Sequence, residues 1–84
     1  MVTVRLFGLL RLDTGIKEFT ADAGSVRALY PLLIQEAKKR DPGSKIRTSD
    51  IDGCIVMVNG TQGKKSTKLK DGDTVILMSP VSGG

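Results

Sequence analysis

Histidine and tryptophan are absent from this chain, cysteine occurs once, and the aromatic residues are one tyrosine and two phenylalanines. Without histidine, and with no close set of Cys, Asp or Glu at ligand spacing, the sequence holds no metal site. A lone cysteine forms no internal disulfide, and no signal peptide or apolar run of about 18 residues is present, which together predict a cytoplasmic protein with no membrane segment. The shortage of aromatics matters for the charge balance as well. Thirteen Lys and Arg stand against nine Asp and Glu, a net charge of +4. With no zinc finger or stacking motif among them, the basic runs Lys38-Lys39-Arg40, Lys45 to Arg47 and Lys64 to Lys70 read as a solvated face and not as a nucleic-acid interface.

What is there is one small domain. At 84 residues and 9.0 kDa there is no length for a second module, and a carved active-site cavity would compete with the core for apolar residues. The catalytic inventory is correspondingly thin, and the chain reads as a carrier or binding protein and not as an enzyme. Cys54 lies in the run Cys54-Ile55-Val56-Met57-Val58 and reads as a small buried hydrophobe.

Periodicity places the elements. Val2, Val4 and Leu6 alternate with Thr3 and Arg5, the period of a strand with one buried face. A second strand is expected over Ile16 to Thr20, with Ile16, Glu18 and Thr20 on one side, after a hairpin turn at Asp13-Thr14-Gly15. Ser25 is a good N-cap for a helix from Val26 to Arg40, where Val26, Leu29, Leu33 and Ala37 recur at helical spacing. Pro31 predicts a kink or an early first turn there, and Asp41-Pro42-Gly43-Ser44 is the stop. Ser44 to Gly53 reads as a polar surface loop. Cys54 to Val58 is a third strand closed by the turn Asn59-Gly60, a short fourth strand falls near Ser66 to Leu69, and Lys70-Asp71-Gly72-Asp73 turns into a last strand, Thr74 to Met78. The order is ββαβββ or close to it.

A single amphipathic helix shields one face of a sheet, yet two strands are apolar at consecutive positions. If Val4, Leu6, Val56, Val58, Val75 and Leu77 face the helix, alternation leaves Phe7, Ile55, Met57, Ile76 and Met78 on the open face as a docking patch. After Met78 comes Ser79-Pro80-Val81-Ser82-Gly83-Gly84, read as a flexible tail (residues 79–84) on a globular body (residues 1–78). Five residues beyond Ser79 span at most about 16 to 18 Å, enough to enter a neighbour's cleft. Pro80 stiffens the exit, while Val81, Ser82 and Gly83 form the threading segment that leads to Gly84.

These residues carry a resemblance. Val4-Arg5-Leu6-Phe7 leading to Leu10-Arg11, Val58-Asn59-Gly60, Leu69-Lys70-Asp71-Gly72-Asp73-Thr74-Val75 and Pro80-Val81-Ser82-Gly83-Gly84 resemble the ubiquitin-like sulfur carriers, most closely the small subunit of molybdopterin synthase. The resemblance implies an α+β, β-grasp fold, a mixed sheet of four to five strands with one main helix on one face and, at the sheet centre, the first and last strands adjacent. It further implies that the Gly84 carboxylate is adenylated by an E1-like adenylyltransferase and sulfurtransferase, then converted to a thiocarboxylate. ATP and magnesium belong to that enzyme, and this chain binds no cofactor. In the molybdopterin branch the tail enters the large synthase subunit. Two positions depart from that branch: Ser79 stands where a second proline is usual, and Met78 where an aromatic is frequent. Relatives carry sulfur for thiamin or tRNA thiolation or are joined to protein lysines as modifiers, and the same activated Gly84 serves each.

Overall fold

Val2, Val4 and Leu6 are buried and the residues between them are not, so β1 (Val2–Phe7) forms as its alternation requires. In the computed structural model, which describes residues 1–80, β1 is followed by α1 (Leu9–Thr14), β2 (Glu18–Ala21), α2 (Val26–Arg40), α3 (Thr48–Asp52), β3 (Ile55–Val58), β4 (Thr61–Gln62) and β5 (Thr74–Met78). The strands form one sheet in the order β2-β1-β5-β3-β4. β1 and β5 run parallel, from Thr3 opposite Thr74 to Phe7 opposite Met78, and the other three pairings are antiparallel. The expected adjacency of the first and last strands holds, with β5 at the centre.

Helix α2 lies on one face of this sheet. The Ser25 side chain accepts the Ala28 N–H at 3.2 Å and so caps the first turn. Val26, Leu29, Tyr30, Leu33 and Ala37 are buried, and they join Val4, Leu6, Val75 and Leu77 in one core. The helix runs unbroken through Pro31, which stands on its exposed side. At the far end the Asp41 N–H reaches the Ala37 carbonyl at 2.9 Å and the Gly43 N–H reaches Asp41 Oδ1 at 3.0 Å, which turns the chain away.

Four sequence expectations are corrected by the structure. The hairpin expected at Asp13-Thr14-Gly15 is instead the end of α1: Gly15 adopts φ 70° and its N–H closes on the Arg11 carbonyl. Glycine serves a left-handed helix cap as readily as a turn, and six residues are too few for helical periodicity to emerge. Thr14 is buried, donating to the Leu10 carbonyl and accepting the Ile16 N–H. Ile16 is also buried, ahead of a strand that begins only at Glu18, so the expected parity does not apply to it.

The segment read as a polar loop contains α3. Ile46 and Ile51 are buried, and Asp50 Oδ2 accepts the Arg47 N–H at 2.9 Å, so two isolated isoleucines anchor an otherwise polar stretch. Tyr30 Oη donates to Asp52 Oδ1 at 3.5 Å, linking α2 to α3. The fourth strand falls at Thr61–Gln62, immediately after Asn59 (φ 51°) and Gly60 (φ 84°). Positive φ at both positions suits a two-residue hairpin. Residues 66–69 form only a single bridge, Ser25 to Lys68, beside the start of α2.

The turn before β5 is tied to that hairpin. Asn59 Nδ2 donates to Asp73 Oδ1 at 2.9 Å, the Lys70 N–H donates to Asp73 Oδ2 at 2.8 Å, and Asn59 Oδ1 accepts the Thr74 N–H. The Lys70 backbone bond, then the Asn59 amide, hold the Asp73 carboxyl below the usual carboxylate range.

Candidate functional site: the open sheet face and the tail root

Strand register brings the five face residues together. Phe7, Met78 and Ile55 lie side by side across β1, β5 and β3, and Ile76 pairs with Met57 in the next outward-facing row. Ile55 is 42% and Met78 37% exposed, while Phe7, Met57 and Ile76 are half-buried. Arg5 borders the patch. It lies 3.4 Å from Glu18 on β2, and its guanidinium sits 5.5 Å from the Phe7 ring centre, an arrangement that keeps the charge at the rim. On the opposite face Val56, Val75 and Leu77 are buried and Val58 is half-buried against the core.

The chain leaves this face at Ser79, and there the structure differs from a simple projecting tail. The Ser79 hydroxyl accepts the Leu10 N–H at 3.0 Å and donates to the Phe7 carbonyl at 3.5 Å. The Ser79 N–H also reaches the Phe7 carbonyl, at 3.4 Å. Gly8 permits the approach: at φ 72° and ψ −148°, a Cβ on it would meet Ser79 Oγ at 2.6 Å. Pro80 is exposed. Val81, Ser82, Gly83 and Gly84 lie outside the described residues.

Beside the root is an open groove of about 250 Å³, lined by Leu9, Leu10, Asp13, Asp50, Gly53, Ser79 and Pro80. It falls below the roughly 300 Å³ at which small-molecule sites begin. Its acids have cations at hand: Arg47 lies 3.7 Å from Asp50, and Lys45 lines the adjoining depression with Asp13. The depression at the start of α2, lined in part by Arg27, Lys65 and Lys68, is no ready anion site either, because the Val26, Arg27 and Ala28 N–H groups are already bonded to Thr67 O, Lys65 O and Ser25 Oγ.

Cys54 is half-buried and its thiol donates to the Asp50 carbonyl at 3.4 Å. Burial first, then the nearby Asp50 charge, push the thiol pKa up, away from the thiolate that reactivity requires. Among the described residues no group of His, Cys, Asp and Glu is placed to hold a metal ion, and no helix is long and apolar enough to cross a membrane.

Sequence reasoning located the five face residues but missed the structured root. Leu9 (46% exposed) and Leu12 (77% exposed) on α1 also went unassigned. The one local signal was Gly8, which is the point of closest approach to Ser79.

A five-stranded mixed sheet grasping one main helix, with an apolar open face running to the root of a C-terminal segment, defines a β-grasp, ubiquitin-like protein. The ThiS family profile matches residues 4–84, and the chain belongs to the ThiS family, among the ubiquitin-like sulfur carriers its sequence resembles. A chain from the complex of subunits 1 and 2 of molybdopterin-converting factor of Helicobacter pylori is similar at 29% identity and TM-score 0.60, over 99% of this chain and 97% of that one. A chain of the Amycolatopsis orientalis BexX/CysO complex is similar at 28% identity and TM-score 0.64, over the whole of both. SAMP1 of Haloferax volcanii shares the fold at TM-score 0.68 and 23% identity, over 99% of this chain and 98% of that one. No curated protein sequence matches the chain.

Proposed function

We propose that this protein carries sulfur on Gly84 and delivers it in molybdopterin synthesis. The carrying observation is the family match, which extends through Gly83-Gly84. The Gly84 carboxylate attacks the α-phosphorus of ATP held with magnesium by an E1-like partner, releasing pyrophosphate and leaving an acyl adenylate. Sulfur at the sulfide level, supplied by that partner or a sulfurtransferase, then attacks the carbonyl carbon, and AMP departs as the thiocarboxylate forms. This chain supplies the substrate end and not the catalytic groups. Phe7, Ile55, Met57, Ile76 and Met78 seat it on the partner, and Pro80 to Gly83 pass into the partner's cleft, where two glycines leave the channel free of side chains.

The molybdopterin assignment is supported by the likeness to the Helicobacter pylori complex and by the Pro80-Val81-Ser82-Gly83-Gly84 segment. A second reading, in which the same activated carboxyl serves another sulfur acceptor, draws on the comparable likeness to the chain of the BexX/CysO complex. The test is incubation with the activating enzyme of the same cell, ATP, magnesium and sulfide. A product heavier by the difference between sulfur and oxygen, located at Gly84 by fragmentation, is expected. Absence of any adenylate or thiocarboxylate, where an established carrier reacts with its own enzyme, would overturn the reading. Adding the large synthase subunit and the pterin precursor then separates the pathways: dithiolene formation supports the first, and its absence with a competent thiocarboxylate supports the second.

A further inference from the structure

The first residues of α1 leave backbone donors that the helix itself cannot satisfy. Gly8 occupies the N-cap position and has no side chain with which to accept them. Its carbonyl accepts the Arg11 and Leu12 N–H groups, at 3.1 and 3.2 Å. The Leu10 N–H points elsewhere, to Ser79 Oγ at 3.0 Å, a partner 69 residues away in sequence. A serine ordinarily caps the helix it immediately precedes. Here the cap comes from the residue at which the chain leaves the sheet.

We propose that Ser79 is a positioning residue for the tail: by capping α1 from across the sequence it fixes the root from which residues 80–84 depart. Three contacts hold it: Oγ to Leu10 N, Oγ to Phe7 O and N to Phe7 O. The Phe7 carbonyl belongs to β1 beside β5, and Leu10 is a buried residue of the core, so the root is tied to rigid elements on both counts. The missing Cβ of Gly8 leaves room for the hydroxyl, because a methyl group there would stand 2.6 Å from Ser79 Oγ and 3.1 Å from Ser79 O. A root held at Ser79 keeps the tail's origin beside Phe7 and Met78, so one partner engages patch and tail together. Releasing it adds a residue whose backbone must be ordered again on capture.

The role in capture rests on the proposed carrier function; the cap does not, and the experiment separates them. In the free protein, Ser79→Ala should raise the exchange rate of the Leu10 amide about fivefold, the loss expected for one helix cap, and lower the backbone order parameter at position 79. Ser79→Thr, which keeps the hydroxyl, should restore both, and the amides of Leu6 and Val75 serve as internal references. In ATP–pyrophosphate exchange with the E1-like enzyme, Ser79→Ala should raise KM about fivefold, the ordering of one backbone residue, with kcat unchanged and Ser79→Thr near wild type. An unchanged Leu10 amide in Ser79→Ala overturns the cap. An unchanged KM, or a loss confined to kcat, overturns positioning. A wild-type chain that supports no exchange overturns the carrier reading and with it the role in capture, while the amide measurement still decides the cap.

Discussion

The two faces of the sheet are built from the same strands and nearly the same residue types, yet one is sealed and the other is open. Val4, Leu6, Val75 and Leu77 have no exposed surface, whereas Ile55 and Met78 on the other face keep more than a third of theirs. The difference is the number of helices. α2 is long enough to cover one face, while α1 and α3 have six and five residues. Apolar residues on the covered face therefore hold the fold, and those on the open face are available to a partner at little cost to the free protein.

The comparison breaks most visibly at Leu77. Leu77→Ala should cost about 3 kcal/mol through lost burial and the cavity left behind, read as a lower urea midpoint, whereas Met78→Ala one residue along should cost a small fraction of that. Equal losses at the two positions would mean that the open face is part of the stabilising core. A smaller effect is expected for the double variant Met57→Lys, Met78→Lys, which should stay folded and bind the activating enzyme at least about tenfold more weakly, because the interface would bury two unpaired charges. Titration calorimetry on the folded variant checks this, and unchanged affinity removes the patch from the docking surface.

The smallest effect concerns acid. The Asp73 carboxyl has a lowered pKa in the folded chain, so it releases its proton more readily folded than unfolded. Its contribution to stability is present above the unfolded carboxylate pKa of about 3.9 and fades as pH falls through the lower folded value. Asp73→Asn should flatten that acid limb of the stability curve while leaving the open face and partner binding untouched. An acid limb of unchanged slope would show that other carboxylates set it.

Long periodic segments were legible before the fold was known. Val2 to Phe7, Ser25 to Arg40 and Thr74 to Met78 repeat their apolar residues often enough to declare both element and face, and Asn59-Gly60 declares its turn but not the strand that pairs directly after it. Leu9 to Thr14 and Thr48 to Asp52 did not, because one turn and a half of helix holds too few apolar positions to show a period. Each is settled by burial of one or two side chains, Leu10 and Thr14 in the first and Ile51 in the second. Thr61–Gln62 pairs as a strand because the preceding turn delivers it to β3, and not through any β-forming preference of its own.

The sequence by itself determined that this is a small domain of strands with one main helix, which residues face that helix, and the Val58-Asn59-Gly60, Asp71-Gly72-Asp73 and Pro80-Val81-Ser82-Gly83-Gly84 motifs that resemble those of the sulfur carriers. Those properties follow from local periodicity and from the chemistry of consecutive residues. Only the tertiary structure decided that Phe7, Ile55 and Met78 are neighbours and that Ser79 is bound to the start of α1. Residues 7, 55 and 78 meet only when the strands pair in their particular register, and a serine hydroxyl becomes a helix cap only when the sheet carries it to an N–H 69 residues away.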